Sequence, residues 1–273
     1  MSSFSIIPLG TVSPFCYDGH MCPGFLVKYH DQNILMDCGN GVTNYLQPED
    51  YQNMTIIISH LHPDHYGDLL SIAQLSYVFH RLGYLTNKIQ VYVPAGDVIH
   101  TDESYIDEEG WGASRSVTKH LIDYDFVMNL ESIGFLKVVP YKQNQKIKFD
   151  DLEVSFSKNP HPLTTYSIRL QDSSCKVVYS SDTGYFKNTL ATFAKDANLL
   201  ICESTFLKGQ VKSSDTHLFA FEAGMIARDA NVHQLLLTHF WPLISKEQYV
   251  MEARGVFSNT EAAEEGKKLI LKC

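Results

Sequence analysis

Short apolar runs recur along the whole chain, and most are too short and too β-branched to be helices. Thr55-Ile56-Ile57-Ile58-Ser59, Ala197 to Cys202 and Gln234 to Leu237 have the pattern of buried strands. Ser5 to Leu9 alternates weakly and stops at Gly10, while Phe25 to Tyr29 and Asn33 to Met36 read as a hairpin joined by His30-Asp31-Gln32. Gln90 to Val93 is a further strand. A helical period then stands out: Leu69, Leu70, Ile72, Leu75, Val78, Phe79 and Leu82 fall on one face ahead of the terminator Gly83. Phe135 to Tyr141, Lys146 to Phe149 and Leu152 to Phe156 predict successive strands, and Tyr166 to Leu170 with Lys176 to Tyr179 a second hairpin. Leu190 to Ala194 predicts a short helix and Leu218 to Ala227 a longer one.

The two halves of this pattern echo each other. In the first, a strand ends in Asp37 and a glycine, and a later one, Ile56 to Ile58, ends in Ser59-His60; in the second, a strand ends in Asp182 and Gly184, and a later one, Leu235 to Leu237, ends in Thr238-His239. Two such halves face to face predict two mixed sheets with helices outside. The fold class expected is therefore α/β (α+β), a four-layer αββα sandwich in one domain over residues 1–273, with both sets of strand ends on one edge.

Composition narrows this picture rather than redirecting it. With 44% apolar and 19% charged residues, the 273-residue chain has the makeup of an ordered globular protein. Its formal net charge of −9 argues against long nucleic acid as a partner. No apolar run approaches the ~20 residues that cross a bilayer, and the start lacks a basic segment followed by a long apolar one, so a cytoplasmic location is expected. Of the six cysteines, Cys38, Cys175 and Cys202 lie in or beside apolar runs and read as buried, reduced thiols. Cys16 and Cys22 are close enough for a bridge or a metal role. From Ala95 to about Phe126 the pattern loosens into an acidic, aromatic stretch around Trp111, a candidate lid, interface or solvated excursion.

The chemistry concentrates in His60-Leu61-His62-Pro63-Asp64-His65, at the end of the Thr55–Ser59 run. Four of these six residues can ligate a metal. His60 and His62 are spaced to share one cation, while Asp64 and His65 continue around the turn toward a second. His161, set between Pro160 and Pro162, is a ligand candidate only because this cluster needs partners.

The His-x-His-x-Asp-His cluster after a strand resembles the signature of the metallo-β-lactamase superfamily, and Asp37, His161, Asp182 and His239 follow in the order that family shows. Leu237-Thr238-His239-Phe240, Cys202-Glu203-Ser204-Thr205-Phe206 and His217 are similar to ribonuclease Z and its small phosphodiesterase relatives. The resemblance implies two divalent metal ions, Zn²⁺ with Mn²⁺ as the alternative. One would be held by His60, His62 and His161, the other by Asp64, His65 and His239, with Asp182 bridging and Asp37 orienting a ligand imidazole. It also implies hydrolysis of phosphodiesters by a metal-bridging hydroxide, with Asp64 handling the water's proton and His217, held by Glu203, protonating the leaving group. Ribonuclease Z carries a long arm for tRNA between its counterparts of His161 and Asp182; here 20 residues intervene and two strands use most of them. The expected substrate is accordingly a small or cyclic phosphodiester. The alternatives are a ribonuclease Z-like RNA endonuclease, a carboxyl ester, thioester or lactone hydrolase on the same centre, and a binding protein without activity. Relatives of this branch often pair, so a homodimer is among the expected assemblies.

Overall fold

The computed structural model describes residues 3–95, 124–186 and 189–272. The stretch around Trp111 lies outside the described residues, as do His100 and His120. The strands, in chain order, are β1 (Ser3–Gly10), β2 (Gly24–Tyr29), β3 (Gln32–Met36), β4 (Met54–Ile57), β5 (Ile89–Pro94), β6 (Leu136–Tyr141), β7 (Ile147–Phe149), β8 (Leu152–Lys158), β9 (Tyr166–Gln171), β10 (Lys176–Tyr179), β11 (Leu199–Glu203), β12 (Gln234–Thr238), β13 (Thr260–Ala262) and β14 (Leu269–Lys272). They form two sheets of seven, ordered β14-β1-β2-β3-β4-β5-β6 and β7-β8-β9-β10-β11-β12-β13. In each, the first four strands pair antiparallel and the fourth to seventh pair parallel.

The layers follow from which side chains alternate inward. Ile34 and Met36 of β3 face the second sheet, where they join Ile168, Val177, Tyr179, Leu199 and Ile201, while Leu35 faces the other way. Leu35 packs with Ile56, Ile58, Val91 and the inner face of the helix α2 (Leu69–Arg81), which follows a single turn, α1 (Pro63–Tyr66). Leu200 and Cys202 likewise turn from the inter-sheet core toward the helices α4 (Ala220–Asp229) and α5 (Lys246–Arg254), with α3 (Thr189–Phe193) beside them. A strand buried on both faces needs apolar residues at every position, which is why these segments read as continuous runs. The arrangement is the expected αββα sandwich.

Two expectations need correction. The sheets do repeat one plan, and β3 and β10, which carry Asp37 and Asp182, occupy equivalent places; however, the strand equivalent to β4 is β11, not β12. Ile56–Ile58 and Leu235–Leu237 look alike because both belong to central parallel strands, and an apolar run carries no mark of its place in a sheet. Cys175 is disulfide-bonded rather than reduced. It lies in the turn between β9 and β10 and is buried as expected. Cys38 and Cys202 are free and buried as expected.

Candidate metal centre

The strands that run parallel end together, and their ends carry the reactive side chains. Asp37 follows β3, His60 follows β4, Asp182 follows β10, Glu203 closes β11 and His239 follows β12. Asp37, Ser181 and His239 all adopt positive φ, at 58°, 53° and 62°, so the chain turns sharply as each strand stops. Gly39 and Gly184 stand two residues after the two aspartates. A Cβ on Gly39 would run into the Asp64 carbonyl, and one on Gly184 into that of Asp215, so both turns need glycine.

All seven expected ligands converge. The ligand atoms of His60, His62, His161 and Asp182 lie within 4.8 Å of one another, as do those of Asp64, His65 and His239. Asp182 faces both groups: Oδ2 is 3.6 Å from His60 Nε2 and 3.9 Å from His161 Nε2, while Oδ1 is 3.2 Å from His65 Nε2 and 3.0 Å from His239 Nε2. One carboxylate thus presents an oxygen to each cluster.

The surrounding hydroxyls fix which imidazole nitrogen faces inward. Ser59 Oγ donates to Asp37 Oδ2 and so accepts from His60 Nδ1 at 3.1 Å. Thr165 Oγ1 donates to the Leu163 carbonyl and meets His161 Nδ1 at 3.0 Å, a nitrogen that the Leu163 N–H also faces at 3.4 Å. Thr205 Oγ1 donates to Glu203 Oε2 and accepts from His239 Nδ1 at 2.8 Å. His65 Nδ1 donates directly to Asp37 Oδ2 at 2.7 Å. Each of these four rings is left with Nε2 aimed into the cluster, whereas His62 turns Nδ1 inward, 3.0 Å from His60 Nε2. Outer groups that fix the tautomer in this way are the usual companions of metal-bound histidine.

Charge supplies a second test of fit. Asp37, Asp64, Asp182 and Glu203 are all buried, and among the described residues none forms an ion pair with a lysine or arginine. Asp182 Oδ1 is buried with no hydrogen-bond partner. Two divalent cations would meet the charge of Asp37, Asp64 and Asp182, Glu203 being paired with His217, and would occupy that oxygen. Burial pushes His60 and His161 down, and His62 down to about 4, favouring the neutral form that ligates. Burial would also lower His65, but Asp182, Asp64 and Asp37 together raise it well above its ordinary value. A cation at this position therefore competes with a proton on His65 Nε2.

His217 stands at the open side, its side chain 22% exposed. Its Nδ1 is 3.2 Å from Glu203 Oε1 and 3.9 Å from Asp182 Oδ2. Burial would lower its pKa; Glu203 outweighs this and pushes it up to about 9. Glu203 itself accepts from Thr183 N, Thr205 Oγ1 and Leu218 N as well, so it is held rigidly. Helix α4 starts only at Ala220, after Phe219 at its N-cap, so His217 does not open that helix.

Several supporting residues escaped the sequence reading. Tyr179 OH and Ser59 donate to Asp37, Ser181 Oγ donates to Ser59 Oγ, and Ser13 Oγ donates to Asp64 Oδ2 at 2.8 Å. Asn159 Nδ2 donates to the carbonyls of Ser180 and Asp182 and so fixes the turn that carries the bridging carboxylate. Hydroxyls beside the ligands, Ser59 next to His60 and Thr205 near Glu203, were a readable signal; Tyr179, Asn159 and Ser13 were not. Of the other described histidines, His20 pairs with Glu265, His30 packs edge-on against Tyr29, and His80 stacks on Phe135 and meets the Leu85 carbonyl.

Comparison with known proteins agrees with this geometry. Residues 32–240 match the model of the "Beta-lactamase superfamily domain" family. The probable metallo-hydrolase YhfI of Bacillus subtilis is 28% identical over 252 residues, covering 89% of this chain and 91% of that protein. Its crystal structure superposes with a TM-score of 0.77 over 99% of this chain and 100% of the other, at 24% identity. A ribonuclease Z of Archaeoglobus fulgidus is 25% identical over 308 residues, 96% of each chain. A diphosphatase of the PhnP family shares the fold at a TM-score of 0.70 and 16% identity, over 99% of this chain and 98% of that one. With the family match spanning most of the chain and the seven candidate ligands brought together, this protein belongs to the metallo-β-lactamase superfamily of metallo-hydrolases.

Proposed function

We propose that the protein is a dinuclear metal-dependent phosphodiesterase acting on small or cyclic phosphodiesters. The observation that carries this reading is the His217–Glu203 pair beside the metal cluster. An ester oxygen leaving from phosphorus needs a proton, and His217, with Nδ1 engaged by Glu203 and its pKa pushed up by that carboxylate, stands at the open side of the site to give one. A carbonyl hydrolysis on the same centre has less use for that acid. When bound, two cations supply Lewis acidity toward phosphate oxygens and a water of lowered pKa. His60, His62 and His161 would hold one, Asp64, His65 and His239 the other, with Asp182 between them; histidine-rich ligation suits Zn²⁺, and the carboxylates accommodate Mn²⁺. Asp64, fixed by Ser13, is placed to orient a water or take its proton.

The short passage from His161 to Asp182 supports a small substrate. It consists of β9 and β10 with tight connections, and leaves no length for an arm that grips RNA. Among the described residues no helix is long and apolar enough to cross a membrane. The test is hydrolysis of bis(p-nitrophenyl) phosphate by metal-loaded protein against a panel of thioesters, lactones and precursor tRNA. Phosphodiester turnover is expected; turnover confined to thioesters or lactones would overturn the proposal.

A further inference from the structure

Cys16 and Cys22 take no part in the metal centre, yet they lie against it. Their sulfurs are 3.8 Å apart, both thiols are free, and Cys16 is exposed while Cys22 is buried. Cys16 Sγ donates to the Asn40 carbonyl at 3.0 Å, the same oxygen that accepts from the Cys22 backbone N–H. The segment between them folds back on itself through paired hydrogen bonds of Tyr17 and His20. Three residues upstream of Cys16, Ser13 Oγ holds Asp64 Oδ2. On the other side, Cys22 packs where a Cβ on Gly39 would stand, and Gly39 in turn packs on the Asp64 carbonyl. One end of the loop that carries the two thiols thus touches Asp64 directly through Ser13, and the other reaches it through Gly39.

We propose that Cys16 and Cys22 are a reversible oxidation site for peroxides, and that the disulfide they form weakens metal binding by displacing Ser13 from Asp64. The exposed Cys16 reacts first: its sulfur takes one oxygen from hydrogen peroxide, giving the sulfenic acid and one water. The Cys22 sulfur then attacks the Cys16 sulfur, the S–O bond breaks, and the Cys22 proton leaves with that oxygen as a second water. Two thiols are oxidised by two electrons and one peroxide is reduced. Bond formation draws the sulfurs together by roughly 1.8 Å, to the ~2.05 Å of a disulfide. Cys16 must leave the Asn40 carbonyl, and the chain on its Ser13 side must follow. Loss of such an outer contact costs a metal site about 10- to 100-fold in affinity.

The inference rests on the metal-site assignment, and its main readouts do not depend on the substrate. The first lysine or arginine in the chain is Lys28, so trypsin leaves both cysteines in one peptide. After peroxide and then iodoacetamide, that peptide is expected unalkylated at both cysteines and two hydrogens lighter, and dithiothreitol should restore both alkylations. Zinc-loaded protein so oxidised should lose metal to a competing chelator at a concentration about tenfold or more lower than the reduced protein needs. Cys16→Ser should abolish both effects while leaving reduced-state metal content unchanged. An absent bridge, a bridge with unaltered metal retention, or a metal loss that persists in Cys16→Ser would each overturn the proposal. Failure of phosphodiester turnover in the reduced protein would instead count against the proposed substrate and leave these readouts intact.

Discussion

Replacing Glu203 by Gln is the most informative single change, because it removes one charge from a group of fixed shape. Glu203 accepts from His217 Nδ1, Thr183 N, Thr205 Oγ1 and Leu218 N. In the wild type, burial disfavours a charged His217 and Glu203 overcomes it, taking the imidazole from its ordinary 6.5 to about 9. That interval corresponds to roughly 3 kcal/mol at about 1.4 kcal/mol per pH unit. Without the anion, burial and the repulsion of His65 are opposed only by the more distant Asp182, so His217 loses most of that upward shift. A general acid must be protonated to act, and the alkaline limb of kcat therefore reports its pKa in the complex. Whatever bound cations subtract from that pKa is common to both proteins, so the displacement between their limbs is the test. In Glu203→Gln the limb is expected to move down by about two pH units, so that turnover at about pH 8 falls roughly 10-fold more than at about pH 6. The assay is the pH profile of bis(p-nitrophenyl) phosphate turnover, with metal content measured at each pH. An unshifted alkaline limb, with metal retained, would refute the role of the pair.

Three further outcomes follow from the same geometry. His217→Ala should keep its metal and lose turnover by ~10² or more; unchanged turnover would remove His217 from the reaction. Asp37→Ala strands the donors of Ser59, His65 and Tyr179, at about 1–3 kcal/mol each, so urea unfolding should show a loss of several kcal/mol and metal titration a weaker second site; a near-neutral result would contradict the hydrogen-bond assignment. Metal removal by a chelator should lower the unfolding midpoint, since a cation at about a thousand times its Kd contributes ~4 kcal/mol. Its re-addition should release protons, measurable in weakly buffered solution, because His65 must give up the proton its three carboxylate neighbours attract.

The convergence of these seven side chains was legible in the sequence because a metal site demands particular side chains at strand ends, and strands buried on both faces announce themselves as unbroken apolar runs. Thr55–Ser59 delivered His60 and Leu235–Leu237 delivered His239 on that logic. What stayed hidden depends on distance across the fold. Tyr179 is one more aromatic residue of a strand until the inter-sheet core brings its hydroxyl to Asp37, 142 positions away. Ser13 meets Asp64, 51 positions away, only because the loops that follow β1 and β4 come together. The place of β11 opposite β4 was obscured for the same reason: pairing order is a property of the assembled sheet and leaves no local imprint.

The repeat of the two sheets bears on how the chain is threaded. The last strand, β14, does not join its neighbours in sequence; it returns to pair with β1, where Ser3 lies opposite Lys272. The first and last described strands therefore lie side by side, and the strand order is a circle cut inside one repeat. Joining the termini with a short linker and reopening between Tyr141 and Ile147 would place β7 to β13 first and β14, β1 to β6 second, each sheet then one uninterrupted length of chain. Such a rearranged protein is expected to bind metal as the natural one does, because His161, Asp182 and His239 would still meet the hexapeptide across the same cleft. Written in that order, the chain is two copies of one architectural module, one specialised in its His-rich loop and the other in its Glu203–His217 pair.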